Sequence, residues 1–386
     1  MKKILFGAAM LAALSSCVND EIVEVNQGEI IAFRASVDKA LSRSMEPNVI
    51  SLSNFNQFKV TAFTPGISTN YFQNLAVNKQ VDGAWTTAAS FYWPQTDLSF
   101  YAYAPTNLSS FPINGELTIS DASQKIVGYT PGKDCDTQPD LLVAYARGNA
   151  ADNQNTGVNL NFKHALSQIA VSAKCSNPYV KINVKSLRFV NVKTKADFTF
   201  PSQPTTAEST LEGCWNNYGT TVTTGVDSHV KSLSVETLLT DEFQSFFSDK
   251  FFMLIPQQLT AWNRDTNLQG AYLSFLCEIH SVDESGKTGY MLYPKSDETS
   301  AGKYAYVAIP IDTKWEAGKK YIYNINFCSK TGGGAGLIDP NPETGEDIHP
   351  NPKPGSIPGD PVLNQLIRFN VSLEEWKDAT VINIDL

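Results

Sequence analysis

The sequence predicts an all-β protein, and three observations carry that expectation. Apolar and polar residues alternate with a period of two through most of the chain. In residues 30–38, Ile31, Phe33, Ala35 and Val37 fall on one side and Ala32, Arg34, Ser36 and Asp38 on the other, as successive side chains of a strand do. The alternating runs are short and separated by clusters of Gly, Pro, Asn and Asp, the punctuation of antiparallel sandwiches. The composition is also rich in the aromatic and β-branched residues that strands favour, with 15 Tyr and 21 Phe.

Further strands are expected, in order, over residues 58–64, 98–104, 158–162, 169–173, 182–192, 251–255, 272–282, 304–311 and 321–327. One segment breaks the pattern. Leu239, Phe243, Phe246 and Phe247 fall at i, i+4, i+7 and i+8, one face of a helix, so 236–250 reads as a short helix over a sheet end. The polar, turn-rich run 148–157 is the best boundary between an N-terminal domain (44–155) and a C-terminal one (156–330). Residues 331–366 open on Gly332-Gly333-Gly334 and carry seven prolines from Pro340 to Pro361. They read as an extended linker that packs no core. Strand-like sequence then resumes in 367–386: Ile367, Phe369, Val371 and Leu373 alternate strictly, and 380–386 reads as a second short strand.

The N-terminus has its own signature. Lys2 and Lys3 precede an apolar stretch from Ile4 to Leu14, then Ser15-Ser16-Cys17. The run is too short to span a bilayer and reads as a secretory signal, residues 1–16. A cysteine directly after the small residues resembles a bacterial lipoprotein signal, which implies cleavage before Cys17 and acylation of that residue. Without the signal, 28 basic residues face 39 acidic ones. Such a surface repels phosphate and argues against nucleic acid and against a polybasic membrane contact. Of the six cysteines, the five besides Cys17 are widely spaced without a CxxC pair. Their odd number fits buried thiols better than a disulfide framework, with one opportunistic bridge left open.

Taken together, several stretches resemble the fimbrillin family, the pilus subunits of Bacteroidales type. The carriers are the 14–17 lipobox, FRASVDKALSRS (33–44), FKVTAF (58–63), FYWPQTDLSFYAYAP (91–105) and DLLVAYA (140–146). NLNFKHALSQIAV (159–171), FFMLIPQQL (251–259), GKKYIYNINF (318–327) and IRFNVSLEEW (367–376) complete the set. The resemblance implies two transthyretin-like Greek-key β-sandwich domains in tandem with a C-terminal strand appendage. It also implies a lipid-anchored precursor at the outer membrane, and then an extracellular fimbrium. In that scheme a trypsin-like protease removes the propeptide (17–43) with its first strand, whose groove-filling residues would be Ile31, Phe33, Ala35 and Val37. Arg43, in a polar Ser42-Arg43-Ser44 segment, is the expected cut. Arg34 is the alternative, shielded by strand pairing. Donor residues Ile367, Phe369, Val371 and Leu373 of another subunit would fill the groove, although the same alternation would serve a strand returning to its own domain. Partners implied are other fimbrial subunits, the membrane through Cys17, the protease, and a host protein or glycan ligand. The rival readings are a tip or anchor adhesin of the same pili and a monomeric glycan-binding lipoprotein.

No catalytic, cofactor or metal site is expected. The acidic pairs Glu374-Glu375, Asp241-Glu242 and Glu346-Asp347 are sequence neighbours, which diverge on a strand where paired-carboxylate chemistry needs convergence. His164 has no accompanying nucleophile motif and reads as a structural hydrogen-bonding residue. The glycine run lacks the lysine of a phosphate loop. The Asp339–Gly345 stretch departs from a calcium loop, with its glycine misplaced and prolines intruding. Phe91-Tyr92-Trp93 with Tyr101 and Tyr103 is the stretch a sugar could stack on, although strand alternation turns about half of it to a core.

Overall fold

The computed structural model describes residues 25–37, 50, 54–106, 115–219, 229–247, 250–295, 303–329, 332–345, 347–363 and 368–375. The protein is all-β, as the alternation predicts. Its first strands are β1 (Val25–Ile30), β2 (Phe33–Val37), β3 (Gln57–Phe63), β4 (Asn70–Lys79), β5 (Trp85–Thr87), β6 (Tyr92–Pro94) and β7 (Leu98–Ala104). A hairpin, β8 (Glu116–Ser120) and β9 (Ser123–Tyr129), precedes β10 (Leu142–Gly148), a four-residue helix α1 (Ala150–Asn153) and β11 (Val158–His164). Seven of these close into a barrel in the order β10-β11-β2-β5-β4-β3-β7, and β1 pairs separately with β6. The barrel interior holds Phe55, Phe58, Trp93, Phe100 and Phe162 among others.

The run 148–157 is therefore a turn inside this module and not its end. Asn149 caps α1 by accepting from the Asp152 amide at 3.0 Å, and β11 returns to the barrel beside β10 and β2. The passage to the second module comes at Ala165 and Leu166, both fully buried.

The second module has β12 (Ser167–Cys175), β13 (Val180–Val190), β14 (Ala196–Thr199), β15 (Trp215–Asn216), β16 (His229–Leu238), β17 (Gln244–Ser245) and β18 (Phe252–Leu254). After these come β19 (Tyr272–Val282), β20 (Thr288–Tyr293), β21 (Ala305–Pro310), β22 (Lys319–Ser329), β23 (Gly332–Gly333), β24 (Leu337–Ile338) and β25 (Arg368–Glu375). One sheet runs β17-β12-β22-β23, with β18 on β12 and β25 on β22; the other runs β16-β13-β19-β21-β24, with β20 on β19. Ile169, Val184, Phe189, Phe275 and Tyr323 fill the space between them. A third sheet, β15-β14-β9-β8, takes one hairpin from each half of the chain. Beneath it Tyr129, Phe198, Trp215, Met253 and Ile255 form a shared core, so the two modules are joined by both a ladder and apolar packing. The Trp215 indole also donates to the Ala165 carbonyl at 2.7 Å.

Two expectations change here. Residues 236–250 hold no helix among their described members: β16 ends at Leu238 and β17 pairs with β12 through Ser172↔Ser245 and Ala173↔Gln244. Leu239, Phe246 and Phe247 still reach the core, delivered where the chain crosses from the β13 sheet to the β12 sheet, while Phe243 lies outside under Lys174, 4.6 Å from the ring centre. Cys175 and Cys328 form a disulfide across 153 residues, leaving Cys135 and Cys277 buried and Cys214 half-buried. Closing so long a loop in the unfolded chain is worth about 4–5 kcal/mol in the entropy model.

Buried His229, at the start of β16, carries a pH prediction. Its Nδ1 lies 3.1 Å from the Gln138 amide nitrogen, and burial pushes its pKa down to about 4. The unfolded value is about 6.5, so between the two only the unfolded chain binds this proton and stability rises with pH. The contribution is complete above about pH 6.5 and is lost as pH falls to about 4, roughly 3 kcal/mol in all. Urea unfolding at neutral pH and near pH 4 measures it, and His229→Gln should flatten that part of the profile.

Candidate functional site

The region of interest is where the two chain ends join the sheets. β2 runs parallel to β11 through five register pairs, Phe33↔Val158 to Val37↔Phe162. Ile31, Phe33 and Val37 are buried, Ala35 is half-buried, and all four pack in the barrel core. Phe33 meets Phe58 and Phe100 edge-on at 6.2 and 6.0 Å. Each large apolar side chain contributes about 1.5–3 kcal/mol by leaving water. Arg34 faces outward and is exposed.

The segment is held at its start and along its length. The Ile31 amide donates to the Phe91 carbonyl and the Val158 amide to the Ala32 carbonyl, both at 2.8 Å. Ser36 Oγ donates to Asn161 at 2.7 Å. Gly157, at φ +73°, lets the backbones approach, since a Cβ there would sit 3.2 Å from the Ala32 oxygen. On its other side β2 pairs with β5 at a single position, Phe33↔Trp85. The barrel is thus stitched firmly at β2–β11 and thinly at β2–β5.

At the far end, β25 lies antiparallel to β22 over eight register pairs, Asn326↔Arg368 to Lys319↔Glu375. Val371 packs half-buried on the sandwich core, and Leu373 is 56% exposed. Phe369 pairs with Ile325 in the ladder. In this structure the segment returns to its own sheet. Cys17, Arg43, Ile367 and 380–386 lie outside the described residues.

The segment expected to be an unpacked linker is instead a strap. Residues 336–338 and 359–362 zip together: Val362 N to Gly336 O at 2.9 Å, Ile338 N to Asp360 O at 2.8 Å, and Gly359 N to Ile338 O at 2.9 Å. Ala335, Ile338 and Val362 enter the core, so a few anchors suffice where composition suggests none. Beyond the neck, Asp339 is buried against Arg188, 3.1 Å from its guanidinium. Asp339 also accepts from Tyr272 at 2.9 Å, from the Asn341 amide at 2.8 Å, and from Ser274. Arg188 donates to the Asn341 carbonyl at 2.9 Å, pairs with Glu343 at 3.1 Å, and lies 4.0 Å from the centre of the Tyr306 ring. Asp339 is thus an ion-pair partner in a clasp and not a calcium ligand. Sequence reasoning misses the clasp because its members come from β13, β19 and the strap, 65 to 151 residues apart.

Other candidate groups are occupied structurally. His164 Nδ1 lies 2.7 Å from Asp140, both buried, and Asp140 also accepts from the Ile50 amide at 3.1 Å. Trp93, Tyr101 and Tyr103 are buried, so they offer no open platform for a sugar ring. Asp134, Cys135 and Asp136 cluster, but burial pushes the Cys135 thiol up to about 12 and Asp136 is bonded to Lys231 at 2.7 Å. A cleft of about 490 Å³ lies between residues 262–265, the end of β21 and the strap neck; the Arg264–Asp360 ion pair, at 2.7 Å, is part of its lining.

These features define an all-β, two-module protein in which β2 is lodged in a barrel and β25 lies on a sheet edge. A family model described as fimbrillin-like matches residues 51–338, and the chain belongs to that family. Its fold is similar to that of a fimbrial protein from Bacteroides vulgatus, with 13% identity over 90% of this chain and 99% of that one and a TM-score of 0.54. Two candidate cell adhesion proteins match with lower scores. One, from Parabacteroides distasonis, has 12% identity over 90% and 99% of the two chains and a TM-score of 0.47. The other, from Bacteroides ovatus, has 14% identity over 91% and 99% and a TM-score of 0.42. No curated protein sequence matches the chain.

Proposed function

We propose that this protein is a structural subunit of a cell-surface pilus. It is exported as a lipoprotein acylated at Cys17, anchored at the outer membrane, and assembled after a trypsin-like cut at Arg43 removes β1 and β2. The observation that carries the reading is the seat of β2. Its loss would leave β11 with an unpaired edge and empty the core sites of Ile31, Phe33 and Val37. An open edge above apolar vacancies recruits another strand. The C-terminal strand of a neighbouring subunit, with Ile367, Phe369, Val371 and Leu373 in the same alternation, has the matching chemistry. Such a head-to-tail contact repeats without closing, which makes a filament.

The test is the state of the chain on the producing cell. Filament subunits should begin at Ser44 by mass spectrometry and run as a ladder on SDS gels without boiling. Phe369→Asp should collapse that ladder to monomer. Chains that all begin at acylated Cys17 and run as one band would overturn the proposal.

A further inference from the structure

We propose that β22 is a second strand-accepting edge, which takes the C-terminal strand of another copy of this chain in place of its own. Three observations lead there. First, among the described residues β25 is an edge strand paired only with β22, with Val371 half-buried and Leu373 largely in water. An edge strand held by one ladder is the kind of segment that opens locally, below the cost of global unfolding.

Second, β22 does not depend on β25 for its position. On its other side it runs parallel to β12 from Gln168↔Lys320 to Cys175↔Cys328, and the disulfide rivets the end of that ladder. Tyr321, Tyr323, Ile325 and Phe327 lock it from within the core. When β25 leaves, the backbone groups of 319–326 remain as an ordered, unpaired edge.

Third, the strap confines what can leave. Its zipped neck and the Arg188–Asp339 clasp hold residue 362 against the second module. Among the described strands that leaves β25 as the one to exchange, so the arriving strand and the departing one are the same segment. The occupant is therefore set by the ladder already present: an identical strand makes the identical eight pairs. Exchange between two copies is a domain swap. The proposal extends the strand-exchange reading above but uses a different acceptor, available while β2 is still in place.

The experiment uses the full, uncut chain. Asn324 and Asn370 face each other in the β22–β25 register, and opposed strand residues lie within disulfide reach. A chain carrying Asn324→Cys is mixed with one carrying Asn370→Cys, incubated and oxidised. A covalent heterodimer whose mapped link joins 324 to 370, in a fraction that rises with protein concentration, is the expected result. The double variant in one chain should close within the monomer at low concentration, which verifies its fold and register, and once closed should no longer exchange. If the double variant closes but the mixed singles stay monomeric at the highest concentration, the β22 proposal fails. The barrel groove reading would stand, because β2 is seated throughout.

Discussion

Replacing Asp339 by Ala should cost about 3–5 kcal/mol of folding stability, the range for stripping one partner from a buried ion pair. Arg188 would keep its charge at 1% exposure, with Glu343 and the Asn341 carbonyl as remaining counter-groups. Tyr272, Ser274 and the Asn341 amide would lose their acceptor at the same time. Asp339→Asn keeps the shape and part of the bonding, so it should fall between. Replacing both Arg188 and Asp339 by Met should recover most of the loss, since an apolar pair needs no desolvation of charge. Denaturant midpoints at constant slope measure all three. Hydrogen exchange at Ile338, Gly359 and Val362 should rise in Asp339→Ala before the sandwich core opens, because the clasp holds the strap.

Phe33→Asp should be the most damaging single change in the leading strand, beyond about 4 kcal/mol. It removes an aromatic side chain from the barrel core and puts an unpaired carboxylate there. Phe58 and Phe100, whose rings Phe33 meets, offer no polar partner in return. Arg34→Asp, one residue on and facing water, should change stability by less than about 0.5 kcal/mol. The contrast tests which face of β2 is inward. Amide exchange over 31–37 should become fast in Phe33→Asp while the second module, with its own core and disulfide, stays protected.

The leading strand was legible because one periodicity and one buried face coincide: Ile31, Phe33, Ala35 and Val37 alternate in sequence and turn inward together. Residues 98–104 were also legible as a strand, but not as one buried on both faces. Phe100 points into the barrel, whereas Tyr101 stacks outside it on Tyr145 at 4.3 Å. The helix expected near 236–250 failed because four apolar residues at helical spacing also suit an irregular crossing between two sheets that drops its aromatics on a core. Nothing local separates the two. The strap failed as a linker for a related reason. Its proline and glycine content describes the exposed loop correctly, while its stability comes from a few anchors whose partners lie far away in sequence. The disulfide was equally non-local, since an odd number of cysteines does not exclude one pair. Polar residues at 148–157 marked a real turn, but the pairing of β11 with β2 depends on a strand more than a hundred residues earlier.

Limited trypsin treatment of the purified chain, followed by a labelled peptide of residues 364–386, tests the central claim most directly. Cleavage near Arg43 should release the β1–β2 segment and leave a folded barrel that binds one peptide in an SDS-resistant complex, with no such barrel complex formed by the uncut chain. A cut barrel that keeps its leading strand, or that loses it and remains folded without taking up the peptide, would contradict the account.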